Sequence, residues 1–135
     1  MVVKNTEAEF DRKRVTANNL YASHQRKYKD LYAKRLEGTL LAQFNTCENV
    51  LSNYQLFRNM SYVKVDNDDY LIVICPRRST KLKKQYDEAY RQLLPNVQRN
   101  VQFICWEDIV SYVQRQFTGQ SLAQYYEKFA EKYLF

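Results

Sequence analysis

Glycine and proline are scarce in this chain, which has two of each among its 135 residues. All-β sandwiches turn about every 8–12 residues, and tight turns depend largely on these two residue types, so the composition argues against that architecture. It also argues against disorder, because 45% of the residues are hydrophobic. Long helices are favoured instead. At this length we expect one domain, residues 1–135, with one hydrophobic core.

The residue types of common catalytic sites are also few. His24 is the single histidine, and no nucleophile motif surrounds it. Cys47, Cys75 and Cys105 lack the close pairs that zinc sites use. Two isolated glycines form neither a phosphate loop nor a dinucleotide fingerprint. The sequence therefore predicts no metal site, no cofactor and no complete catalytic site of its own.

Long apolar runs are missing, and none approaches the ~20 residues that span a bilayer. The first residues run into a charged segment and do not resemble a secretion signal. The cysteines are odd in number, widely spaced and set in apolar stretches, which is typical of reduced thiols in the cell interior. We expect a cytoplasmic protein with no membrane association.

Positive charge is what the chain has in excess, with a net charge of +6. This favours a polyanion such as DNA or RNA, because each cation that meets a phosphate releases a counterion. The alternative is a solvated surface that only keeps the protein in solution. A second basic stretch is interleaved with Tyr21, Tyr28 and Tyr32, and these tyrosines either stack on bases or, as we favour, pack the helix. Its cations are Arg12, Lys13, Arg14, Arg26, Lys27 and Lys29. The densest basic cluster consists of Arg77, Arg78, Lys81, Lys83 and Lys84.

Hydrophobic spacing predicts the order of the elements. It indicates one bent helix or two shorter ones up to Leu36, and a long amphipathic helix from Thr39 to about Tyr62. The apolar runs 70–75 and 101–106 are too short for helices and predict buried strands. A helix from about Thr80 to Leu94, ended by Pro95, joins them, and further helices follow at 107–117 and after Gly119. Met1 to Asn5 is the candidate for a third strand.

A strand, a helix and a strand in this order predict a parallel βαβ unit. The fold class is therefore α/β: a mixed helical domain whose small parallel sheet of two to three strands is covered by four to six helices. Residues 1–62 are mainly helical, and residues 63–135 hold the βαβ unit and the C-terminal helices. Two buried strands need neighbours on their open edges. We therefore expect a homo-oligomer, preferably a homodimer, or a chain that is part of something larger.

Three segments resemble the PD-(D/E)XK superfamily of restriction-endonuclease-like nucleases: the strand end Val2-Val3-Lys4, the helix segment 54–59 and the closing βαβ unit. The resemblance implies a divalent metal held by an Asp and by an acidic-x-Lys pair, with the lysine supporting the attacking water. Lys4 stands at the lysine position, but Val2 stands at the acidic one and no Asp strand precedes it. The resemblance therefore implies a remnant catalytic Lys4, with Gln55 and Arg58 near a former active site.

We expect an incomplete or degenerate nuclease of this superfamily that binds DNA or RNA without cutting it. One alternative is a protein-interaction or assembly module whose charge is incidental. Another is the downstream piece of an active metal-dependent endonuclease, in which acidic residues supplied from elsewhere hold magnesium. The residues expected to contact nucleic acid are Arg77, Arg78, Lys81, Lys83, Lys84, Gln55 and Arg58.

Overall fold

A computed structural model of the protein describes residues 2–3 and 22–133. Its sheet has three parallel strands in the order β1-β2-β3, with Val2 paired to Val73 and Leu71 paired to Val101. The mixed α/β class with a small parallel sheet is therefore confirmed, and so is a strand within residues 1–5. The strands are β1 (Val2–Val3), β2 (Leu71–Cys75) and β3 (Val101–Cys105).

The central strand β2 is almost completely buried. Leu71, Val73 and Cys75 point to one face, as the two-residue period of a strand requires, and Ile74 is buried on the other. β3 has one neighbour within the described sheet and is more exposed, with Gln102 open to solvent. A continuous run of apolar residues suits a strand covered on both faces.

The first half of the described chain is helical, but the predicted long helix over 39–62 is wrong. Residues 22–36 form one continuous helical segment, which ends just before Gly38. Beyond it the structure has a 3₁₀ turn and two short helices. The elements are α1 (Ala22–Lys27), a π-helical stretch (Tyr28–Ala33), α2 (Lys34–Leu36), the 3₁₀ turn (Ala42–Phe44), α3 (Cys47–Ser52) and α4 (Tyr54–Met60).

Short polar side chains divide this region. Thr46 caps α3, since its hydroxyl accepts a hydrogen bond from the Asn49 amide at 3.3 Å. The Asn53 side chain donates to the Asn49 carbonyl at 3.3 Å, and the Asn53 backbone leaves the helical region with a ψ of 34°. Such side chains compete with the hydrogen bonds of a helix. The apolar spacing continues across the break, which is why the sequence reads as one helix.

The crossover helix α5 (Thr80–Tyr90) ends before the predicted Leu94. Leu93 forms an antiparallel bridge with Leu40 instead. On either side of this bridge, the amides of residues 41 and 94 donate to the carbonyls of residues 92 and 39, both at 2.9 Å. The segment after α5 is thereby joined to the segment after α2.

Pro95 begins a helix as well as following one. It stands at the start of α6 (Pro95–Gln98), where its missing N–H needs no partner. After β3 come α7 (Trp106–Gln116) and α8 (Ser121–Tyr133). Gly119 lies between them with a φ of 77°, a left-handed conformation that favours glycine.

The main core lies between the helices and the sheet, and Leu36, Phe57, Val73 and Leu82 are completely inaccessible in it. Tyr28 and Tyr32 pack in or against this core, which confirms the packing interpretation of these two tyrosines. A smaller cluster holds α8 to α7, and none of the described helices is long and apolar enough to cross a membrane. The smaller cluster comprises Val110, Ala130, Trp106, Tyr126 and Phe129.

Candidate nucleic-acid interface

The carboxyl edge of the sheet carries the densest basic cluster. β2 ends at Cys75, and Arg77 and Arg78 follow it directly. Lys81, Lys83 and Lys84 lie in the first two turns of α5. The structure thus brings the cations of this cluster together at the end of β2. Ligands of open α/β sheets bind outside this end of parallel strands.

Arg77 is held by two carboxylates from the start of α7. Its backbone N–H donates to both carboxylate oxygens of Glu107, at 3.0 and 2.9 Å. Its guanidinium donates to Asp108 at 2.5 Å, although both side chains are mostly exposed. Parallel pairing aligns Cys75 with Cys105 and so brings the residues after each strand together. The backbone N–H of Arg77 and one nitrogen of its guanidinium are therefore already engaged within the protein.

The other cations of the cluster point outward. Arg78, Lys81 and Lys84 are exposed. Lys83 forms an ion pair with Asp87 one turn later, and its ammonium lies 5.4 Å from the ring centre of Phe103. Between residues 77 and 84 there are five cations and no acidic residue. Besides Arg77, the exposed cations at this edge are therefore Arg78, Lys81, Lys83 and Lys84.

Gln55 and Arg58 lie on α4, and Lys4 lies outside the described residues. Arg58 is exposed, and a hydrogen bond with Tyr54 raises the pKa of its guanidinium. Tyr62 and Tyr32 are close enough to add to this effect. Arg58 therefore lies among tyrosines, and Gln55 is half-buried on the same helix.

Tyr32 and Tyr54 form a hydrogen-bonded pair beneath Arg58. The Tyr32 hydroxyl donates to the Tyr54 hydroxyl at 3.3 Å, and the two rings meet edge to face with their centres 5.8 Å apart. Burial, followed by this hydrogen bond, raises the pKa of Tyr32 to about 12. The bond donated by Tyr32 lowers the pKa of Tyr54, and Arg58 and Lys27 lower it further. The Tyr54 oxygen therefore lies in surroundings that favour negative charge.

Replacing Tyr32 with phenylalanine is expected to raise the pKa of Tyr54, because the phenolate loses its main hydrogen-bond donor. The measurement is a pH titration of the tyrosine ring resonances by NMR, with the Tyr54 signal assigned from a Tyr54→Phe variant. Tyr28→Phe is the matched control, since the Tyr28 hydroxyl bonds to Asn45. An unchanged Tyr54 titration in Tyr32→Phe would contradict the pairing.

The same region carries a surface that the sequence did not indicate. The Lys27 ammonium lies over the Tyr54 ring at 5.6 Å, and the Arg35 guanidinium lies over the Tyr62 ring at 5.0 Å. Tyr62 is 58% exposed. We call this surface the tyrosine–cation face; it consists of Lys27, Arg35, Tyr54, Arg58 and Tyr62. The four-residue spacing of positions 54, 58 and 62 is a signal in the sequence, but Tyr54 also fits the apolar period of the predicted long helix.

A groove of about 740 Å³ adjoins this face. It lies between the 22–36 helical segment and the chain leading into β2, and Arg35 belongs both to the groove and to the face. Lys34 and Lys64 add two more cations, while Asp30 and Asp66 offset part of the charge. The groove is therefore polar and only weakly positive.

Magnesium, which the nuclease resemblance implies, does not fit the described residues. Among residues 2–3 and 22–133, no group of three or more His, Cys, Asp and Glu side chains could hold a metal ion. Val2, which the resemblance puts at the position of an acidic ligand, has no oxygen in its side chain. Glu107 and Asp108 both contact Arg77. No catalytic step can be derived through a metal from these residues.

A model of a restriction-endonuclease-related family matches residues 3–134. The chain thus falls in a class of proteins related to restriction endonucleases. Specifically, it belongs to the family described as Restriction Endonuclease associating with ARP. No curated protein and no solved structure matches the chain.

Proposed function

We propose that this protein binds nucleic acid as a degenerate member of the PD-(D/E)XK superfamily, without cutting it. The observation that carries the proposal is the run of five cations and no acids between residues 77 and 84, at the carboxyl edge of a parallel sheet. Membership of a restriction-endonuclease-related family supports DNA or RNA as the polyanion. The resemblance at Val2-Val3-Lys4 supports the superfamily.

The exposed cations are suitably placed for a phosphate backbone. Lys81 and Lys84 are three residues apart on α5 and therefore lie on the same side of the helix. Arg78 precedes that helix, whose first amides add partial positive charge. Arg77 is bound by Glu107 and Asp108 and therefore contributes less to phosphate binding. We assign phosphate contact chiefly to Lys81 and Lys84, with Arg78 and Lys83 beside them.

The absence of cleavage is proposed from the ligand positions. Val2 cannot replace a carboxylate, and the described acids at the sheet edge are bound to Arg77. Lys4 would then remain as the partner of a lost metal site. An acidic strand contributed by another chain is the alternative way in which such a fold could hold magnesium and cut.

The test is equilibrium binding of the pure protein to a DNA duplex at several salt concentrations, together with incubation of plasmid DNA and RNA with magnesium. With three to five phosphate contacts, the logarithm of the affinity should fall with the logarithm of salt with a slope of roughly −2.7 to −4.5. Both nucleic acids should stay intact. Absence of binding at low salt would contradict the proposal that the protein binds nucleic acid. Magnesium-dependent cleavage that Lys4→Ala abolishes would contradict the proposal that it does not cut.

A protein-interaction module is the second candidate, and the outer face of α7 and α8 favours it. Tyr112, Leu122 and Tyr125 are 56, 43 and 63% exposed there. Residues 106–133 contain four acidic and three basic residues, unlike the strongly basic remainder. The family's description as associating with ARP supports a partner contact, and a second copy covering the edge of β3 would make a homodimer. Sedimentation that shows self-association, combined with no binding to nucleic acid at low salt, would favour this candidate.

A further inference from the structure

We infer that the tyrosine–cation face binds an unpaired segment of nucleic acid, with one base stacked on Tyr62 and phosphates held by Arg58, Arg35 and Lys27. This inference rests on the proposed nucleic-acid binding and adds a second surface that selects single strands. The carboxyl edge of the sheet would hold the backbone of either single or double strands.

Two helical segments lie side by side to form the face. Lys27 lies beside Tyr54, and Arg35 lies beside Tyr62. Arg35 follows Lys27 by eight positions, and Tyr62 follows Tyr54 by eight positions. The two segments therefore run in the same direction. At about 1.5 Å per residue along α4 and the turn that follows it, the tyrosines are roughly 12 Å apart. That span corresponds to about three to four phosphates of a stacked strand at 3.4 Å each.

Tyr62 is placed to stack on a base. It is 58% exposed, and the Arg35 guanidinium at 5.0 Å lies over its ring. A cation–π contact of this kind is attractive and therefore favours this position of the exposed ring. Stacking on an aromatic ring tolerates any base but needs that base to be unpaired.

Arg58 is placed to hold a phosphate next to the base stacked on Tyr62. It lies on α4, midway in sequence between Tyr54 and Tyr62 and four residues from each. Its guanidinium is exposed, and such a planar group can donate to two phosphate oxygens at once. Lys27 adds charge at the end of the face near Tyr54.

The charge of the surrounding helix favours nucleic acid over a protein partner. Residues 22–36 contain five Lys and Arg residues and one acidic residue. Protein interfaces are enriched in tyrosine and arginine but depleted in lysine. The exposed tyrosines of α7 and α8, by contrast, lie in a segment whose acidic residues outnumber its basic ones, which makes them a control surface.

The experiment measures affinity for a 20-nucleotide oligothymidine and for a duplex of equal length by fluorescence anisotropy. Tyr62→Ala should weaken oligothymidine binding roughly 5- to 100-fold, because one stacked base is lost, and should leave duplex binding unchanged. Tyr62→Phe should bind as the wild type does. Tyr125→Ala, which removes a tyrosine of similar exposure from α8, is the matched control and should have no effect.

Each remaining outcome contradicts a defined statement. If Tyr62→Ala leaves both affinities unchanged, as it would if this face contacted a protein, the inference is wrong while the proposed function stands. An equal loss for duplex and single strand would also overturn it, because stacking is then not the cause. A wild-type protein that binds neither probe at low salt overturns the proposed function and the inference together.

Discussion

Phe57→Ala is expected to lower the free energy of unfolding by about 3–5 kcal/mol, since the change leaves a cavity in a close-packed core. The Phe57 side chain is completely inaccessible and lies in the main cluster. Because a domain of ordinary size is stable by only about 5–15 kcal/mol, the loss is a large fraction of the total. Urea denaturation followed by circular dichroism measures it as a lower midpoint with an unchanged slope.

Tyr70→Ala is the matched control, because Tyr70 is an aromatic residue that is 59% exposed. Its effect should stay within about 0.5 kcal/mol, as is usual for surface positions. A loss below about 1 kcal/mol for Phe57→Ala would mean that α4 does not pack in the core as described. The positions of Arg58 and Tyr62 would then also be wrong, because Arg58 lies on α4 and Tyr62 follows two residues after its end.

The combined replacement of Lys81 and Lys84 by alanine is expected to weaken binding to a DNA duplex about 10- to 100-fold at moderate salt. Both lysines are exposed at the start of α5. Each phosphate contact contributes about 0.9 to the salt slope, so the variant should lose nearly two units of slope. Anisotropy titrations at several salt concentrations measure both quantities.

A control of equal charge separates a local contact from the general attraction of a basic protein. Lys128 and Lys132 are exposed on α8, and their joint replacement by alanine lowers the net charge by the same amount. This control should keep nearly all of the wild-type slope. If both double variants weaken binding equally, the phosphate contacts do not lie at the sheet edge.

The sequence predicted the sheet and the position of the basic cluster because both depend on local features. The run 71–75 is apolar, rich in β-branched residues and closed by Pro76, so it reads as a buried strand. Arg77 and Arg78 follow it directly, which places them at the carboxyl edge in any parallel arrangement. The helix over 107–117 is also local in origin, because Glu107 and Asp108 in the first turn of α7 suit the positive end of the helix dipole.

The features that the sequence did not indicate depend on contacts between distant residues. Arg77 meets Glu107 and Asp108 only because the register of two strands aligns residues 30 and 31 positions apart. The tyrosine–cation face depends on two helical segments lying side by side. The hydrophobic periodicity of one segment does not indicate which other segment packs against it. The break at Asn53 is not visible in the sequence, because the apolar spacing continues across it.

The bridge between Leu40 and Leu93 also bears on how fast the chain folds. It closes a loop of more than fifty residues, and the parallel pairs of β2 and β3 join positions about thirty apart. Contacts of this kind lose chain entropy before they contribute stability, and parallel pairing forms slowly for the same reason. Despite its helices, the protein should refold more slowly than an all-helical bundle of the same length, on a timescale of milliseconds or longer.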